Sequence, residues 1–141
     1  MGEKHVLGSL LALRAHAAYA LDRYAEAVRL AEAGEDAAGG DEAGHVPALS
    51  ARAKALARLD RPDEALALAR EAVTVAPREL LVVRADALLD LAEVCEVGGL
   101  PTEAAGAAQE ALDLYSRKGN VVSAHRARTV LARLRTPPDG R

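Results

Sequence analysis

The hexamer DRPDEA at residues 60–65 has a near twin, DRYAEA at 22–27, and a looser relative, GLPTEA at 99–104. Aligned on their last residues, Ala27, Ala65 and Ala104, the copies stand 38 and 39 residues apart. A period of roughly 20–50 residues is the mark of a stacked array, in which each repeat is one supersecondary unit and neighbours bury its apolar face. Each copy follows one apolar-periodic run and precedes another, so it reads as the turn of a helical hairpin. Pro62 suits the first turn of the new helix, where its missing N–H is an orphan in any case. Asp63 and Glu64 set negative charge at the positive end of that helix. Ala65 is small because two antiparallel helices approach closely there.

Composition points the same way. Half of the 141 residues are hydrophobic, but most of these are Ala and Leu; Trp and Phe are absent, and the tyrosines are Tyr19, Tyr24 and Tyr115. Such a chain favours helix over strand, so the fold class is all-α: a solenoid of three helical hairpins and a C-terminal capping helix. The turn and breaker residues predict helices over 3–21, 24–36, 46–59, 62–75, 79–97, 101–117 and 121–135, with AAGGDEAG as the loop before the third. The repeats cover about 3–38, 45–77 and 79–117, with the cap at 120–135, in a single domain spanning 1–135. The tail TPPDGR, residues 136–141, is expected to be disordered.

The small residues that punctuate the pattern carry a resemblance. Ala53, Ala65, Ala72 and Pro77 resemble the Gly/Ala, Ala, Ala and Pro positions of a tetratricopeptide repeat. Leu91, Ala92, Ala104 and Ala111 repeat that pattern in the third unit, and Ala15, Ala27 and Gly34 in the first, with Gly34 where Ala is usual. The usual aromatics are mostly missing, and the period exceeds the common 34. The phrases LARLDRPDEALALAREAV (56–73), RADALLDLAEV (84–94) and ALDLYSRKGNVVSAHRAR (111–128) resemble the C-terminal tetratricopeptide region of actinobacterial signalling ATPase regulators, including class III adenylate or guanylate cyclase fusions. The resemblance implies a right-handed solenoid that serves signalling or transcription regulation as a scaffold, either as a segment of a larger protein or as a stand-alone derivative.

Charge is unevenly spread. Residues 1–116 carry 11 Lys/Arg against 20 Asp/Glu, a balance of −9, whereas residues 117–141 carry 7 against Asp139 alone, a balance of +6. In the fifth helix Asp86, Asp90 and Glu93 form a stripe, with Glu96 nearby. Tetratricopeptide geometry, by the resemblance, sets these four on the concave groove, together with His16 and Tyr19 of the first repeat and Lys54 and Arg58 of the second. A basic band beside an acidic band suits a charged peptide or partner helix. The plainer alternative is a solvated face whose charges answer one another across neighbouring helices.

Other chemistries find little footing. The four histidines, at 5, 16, 45 and 125, have no ligand spacing, and none lies three residues after a Glu of the fifth helix, so neither a metal nor a catalytic centre is expected. The single cysteine, Cys95, allows no intrachain disulfide. It falls at a buried position beside acids that oppose its ionisation, and reads as a small hydrophobe. No GxxxxGK[ST] or GxGxxG occurs, and no cofactor is expected. The seventh helix offers Val121, Val122, Ala124, Ala127, Val130, Leu131 and Leu134 as an inner stripe, with His125, Arg126, Arg128, Arg133 and Arg135 outside. Clustered Arg could neutralise phosphates, but the acidic body and the lack of Phe or Trp for stacking speak for a solvating cap instead of nucleic-acid binding. No apolar run nears the roughly 18 residues a membrane span needs, and the N-terminus reads as a helix of the domain and not a signal peptide, with the cytoplasm as the default location. The expected role is therefore non-catalytic: a protein or peptide partner held in the groove. A second reading is homo-oligomerisation through an apolar N-terminal edge made by Leu7, Leu10, Leu11 and Leu13.

Overall fold

A computed structural model describes residues 2–135, so the tail expected to be disordered lies outside the described residues. The described residues form seven helices and no strand: α1 (Gly2–Ala20), α2 (Tyr24–Ala38), α3 (Glu42–Arg58), α4 (Pro62–Val75), α5 (Leu81–Val97), α6 (Pro101–Lys118) and α7 (Val121–Arg135). The chain is all-α, as its composition requires. The largest departure from expectation is α3, which begins four residues early. Its start is tied down by His45, whose ring bonds the Gly39 carbonyl at 2.6 Å while its backbone N–H donates to Asp41 at 3.2 Å. Helix therefore runs through part of what reads as a loop, with Pro47 in its second turn.

The three hexamers are hairpin turns, and their first residue has a role of its own. Asp22, Asp60 and Gly99 adopt left-handed backbone, at φ 61°, 64° and 75°. In each turn the next N–H reaches back five residues to close the preceding helix: Arg23 to Ala18 at 2.9 Å, Arg61 to Leu56 at 3.1 Å, Leu100 to Cys95 at 2.8 Å. This Schellman closure satisfies carbonyls that the helix end would leave unpaired. Aspartate tolerates the left-handed region better than most residues, and glycine adopts it freely. The same closure recurs between α6 and α7, where Gly119 has φ 73° and Asn120 donates to Tyr115 at 2.9 Å. Asn120 then caps α7, its side-chain oxygen accepting the Ser123 N–H at 3.2 Å.

The alanines that close each hexamer, Ala27, Ala65 and Ala104, are wholly buried, as are Ala15, Ala53, Ala72, Ala92 and Ala111. Small side chains at these points let backbones approach. A close approach lies between α1 and α2, where a methyl group on Gly34 would meet backbone atoms of Ala12 and Gly8 at 3.4 Å.

Helices pair in order, α1 with α2, α3 with α4 and α5 with α6, while α1 also packs on α3 and α3 on α5. The even-numbered helices pack on their odd-numbered neighbours and not closely on one another. Helices α1, α3 and α5 thus form the closed side of the array, α7 packs on α6, and the even-numbered layer fans apart. A bidentate ion pair spans the outer gap, Arg70 of α4 to Glu103 of α6, at 2.6 and 3.0 Å. The main core runs from α3 to α7, around Leu56, Leu88, Leu91, Cys95, Leu114, Tyr115 and Leu131. Tyr115 is its largest fully buried side chain.

Two further expectations need correction. Val121 and Val122 do not belong to the inner stripe of α7; each is 75% exposed, because they occupy its first turn, ahead of the point where Ala124, Ala127 and Leu131 meet α6. α5 starts at Leu81 and not at 79: Leu80 precedes it in a turn bonded to Pro77 and is 42% exposed.

Candidate functional site

The odd-numbered helices α1, α3 and α5, with α7 beyond them, line one continuous surface. Three adjoining depressions run along it, of about 550, 310 and 540 Å³. The first holds His16, Lys54, Asp86 and Asp90, the second Lys54, Asp90 and Glu93, and the third Tyr19, Arg58, Glu93 and Glu96. All eight residues singled out in the sequence therefore meet on this surface.

Their charges are largely engaged with one another. Lys54 pairs with Asp90 at 3.2 Å and also stands 4.9 Å from the centre of the Tyr19 ring, a cation–π distance. The Tyr19 hydroxyl donates to Glu93 and accepts from the Arg58 guanidinium at 3.2 Å. His16 bonds the Pro47 carbonyl at 3.0 Å through Nε2. Burial depresses the His16 pKa, so its ring is neutral near pH 7, with Nε2–H donating to that carbonyl and Nδ1 left as an acceptor. Glu96 takes a bidentate pair from Arg133 at 2.7 and 2.8 Å, which holds its carboxyl below the usual range.

Three groove residues escaped the reading of the sequence. Arg126 and Arg133, expected on the outside of α7, lie on the groove wall, Arg126 flanking Asp86 and Asp90, and Arg133 clamped to Glu96. Their seven-residue spacing places them together on one flank of the buried stripe, facing acids of opposite sign on α5; that pairing of stripes is the signal that identifies them. Tyr115 comes from α6, in the outer layer, yet its hydroxyl passes through the core and donates to Asp86. Burial raises the Asp86 pKa, while the Tyr115 hydroxyl and the nearby Arg126 charge partly offset that. The result is an acidic stripe on α5 flanked by cations of α3 on one side and α7 on the other.

Within this surface one polar group stands out. The Ser50 hydroxyl is buried, lines the first depression and has no hydrogen-bond partner. Around it lie Ala12, Leu13, Val46, Pro47, Val83 and Ala87, so this depression joins an apolar wall to a polar rim.

Among the described residues no group of three or more His, Cys, Asp or Glu side chains is placed to hold a metal ion, and no helix is long and apolar enough to cross a membrane. Cys95 is wholly buried, and burial, with Glu103 adding to it, pushes its thiol up to about 11. No protein-family model matches the chain, and no curated protein matches it.

Proposed function

We propose that the chain is a non-catalytic interaction scaffold of tetratricopeptide type, a right-handed solenoid holding a peptide or helix of a protein partner along the odd-numbered helices. The observation that carries this reading is the continuity of the groove: three depressions share walls from α1 to α7 and pass from a mainly apolar lining at one end to a mainly polar one at the other. An elongated partner can follow such a surface. Its residues point to recognition more than to reaction, because the titratable groups are tied to one another in ion pairs and hydrogen bonds. Within that reading the chain serves as a segment or derivative of a signalling or transcription-regulating protein, in keeping with the phrases at 56–73, 84–94 and 111–128. With no Trp or Phe and three Tyr in the chain, few interface hot spots are on offer, and affinity is expected to be micromolar or weaker.

The test is an array of short mixed-charge peptides, followed by NMR shift mapping of any that bind. Groove occupancy predicts shifts clustered at Tyr19, Ser50, Lys54, Glu93 and Arg126, with binding lost in Lys54→Glu. Shifts confined to the outer helices α2 and α4 would refute the assignment of the groove.

A further inference from the structure

One face of α1 has no contact partner among the described residues. The helix packs on α2 and α3 from one side, and Val6, Leu7, Leu10 and Leu13 on the other are 56%, 50%, 52% and 66% exposed. Scattered single hydrophobes on a surface need no explanation, but four on one helix form a patch. Within that patch Glu3, Leu7, Leu10 and Arg14 follow at steps of four, three and four, the spacing that keeps side chains on one seam of a helix pair. Glu3 and Arg14, both exposed, bracket the two leucines.

That arrangement is self-complementary in one orientation only. If two copies lie antiparallel about a two-fold axis between residues 8 and 9, Leu7 meets Leu10 of the second copy. Glu3 then meets Arg14 of the second copy, and by symmetry the pair forms twice. A parallel pairing would set Glu3 against Glu3 and Arg14 against Arg14. From this charge complementarity we infer that the exposed face of α1 is a homodimer interface, two chains joining antiparallel through Leu7 and Leu10 with Glu3–Arg14 pairs at both ends. An interface that repeats the same patch on both subunits is the isologous contact that gives a closed dimer. Val6 and Leu13 widen its apolar strip on one flank. Gly8, on the opposite side of α1, lets α2 approach closely and supports the helix from behind. Leu13 also borders the first depression of the groove, whereas the central seam of Glu3, Leu7, Leu10 and Arg14 lies outside it.

Sedimentation equilibrium of the 141-residue chain over a wide concentration range is the experiment. The wild type is expected to pass from monomer to dimer as concentration rises. Leu10→Glu should leave a monomer that melts as the wild type does at concentrations too low for it to dimerise, since Leu10 is half-exposed and outside the core clusters. Glu3→Arg and Arg14→Glu should each weaken self-association by roughly threefold to tenfold at low salt, an effect that salt screens. An equimolar mixture of those two variants should dimerise more tightly than either alone, because every contact across the mixed pair is again between opposite charges. A wild type that stays monomeric throughout, as it would if another segment of a longer chain covers this face, overturns the proposal. So does a dimer indifferent to Leu10→Glu, or a mixture that associates no better than its components.

Discussion

Tyr115 couples the core to the groove, and replacing it separates the two contributions. In Tyr115→Phe the ring keeps its wholly buried place, and the hydrogen bond to Asp86 is lost. A bond to a charged acceptor is worth ~1.5–3 kcal/mol, but the Asp86 side chain stays in reach of water, which replaces the lost donor and brings the cost down to about 1 kcal/mol. Tyr115→Ala removes the ring from the centre of the largest core cluster as well, and large aromatic truncations there cost about 3–5 kcal/mol. The ring alone thus accounts for ~2–4 kcal/mol, the difference between these two costs. Urea denaturation followed by circular dichroism measures both, provided the slope of the transition is unchanged, since repeat arrays can lose cooperativity from one end. The two variants should also differ by several degrees in melting temperature, at roughly 3–5 °C per kcal/mol for a chain of this size. A second reading comes from the Asp86 carboxyl, whose titration by NMR should move up in Tyr115→Phe because a donor that favoured the charged form is gone. A Phe variant as costly as the Ala variant would refute the view of the ring as core. An Asp86 titration that does not move would refute the hydrogen bond.

Two further outcomes follow from the same geometry. Ala65→Leu and Ala104→Leu should each destabilise by roughly 1–3 kcal/mol through overpacking where the hairpin helices cross, measured by thermal melts; a wild-type melt would mean the register of the repeats is wrong. Glu96 and Asp86 should give opposite pH dependences: the depressed Glu96 contributes stability above its unfolded pKa of about 4.3 that is lost as pH falls, whereas the raised Asp86 favours the folded state more as pH falls. Glu96→Gln should therefore lessen acid destabilisation and Asp86→Asn deepen it, in urea melts between neutral and acid pH; equal slopes for the two variants would contradict the Arg133 pairing.

Much of this architecture was legible in the sequence because it is repetitive and local. The hexamers mark hairpin turns, and the alanines they end on are buried where helices cross. What the hexamers did not reveal was the duty of their first residue. Asp22 and Asp60 look like ordinary turn aspartates, and their left-handed backbone is visible only when the reach of Arg23 and Arg61 back to the previous helix is seen. The groove was legible as far as α5: helical spacing marks the stripe of Asp86, Asp90 and Glu93, and the tetratricopeptide resemblance implies that His16, Tyr19, Lys54 and Arg58 share its surface. Beyond that, Arg126 and Arg133 read as outward when the basic helix is weighed by itself, without the acids of α5 that its flank faces. Tyr115 was beyond reach of pattern reasoning, since its ring belongs to the core and only its hydroxyl arrives at the groove. Val121 and Val122 failed for the opposite reason: apolar character at a helix start is no guarantee of a surface to pack on.

The fanned outer layer has a mechanical side. Close packing holds the inner helices at fixed spacing, whereas α4 and α6 are joined across their gap by Arg70 and Glu103, which are 54% and 34% exposed at their side chains. Ions in solution weaken such a pair far more than they weaken a packed helix contact. The array then resembles a leaf spring whose outer clip, a weak surface pair, loosens with salt while the inner blade keeps its packing.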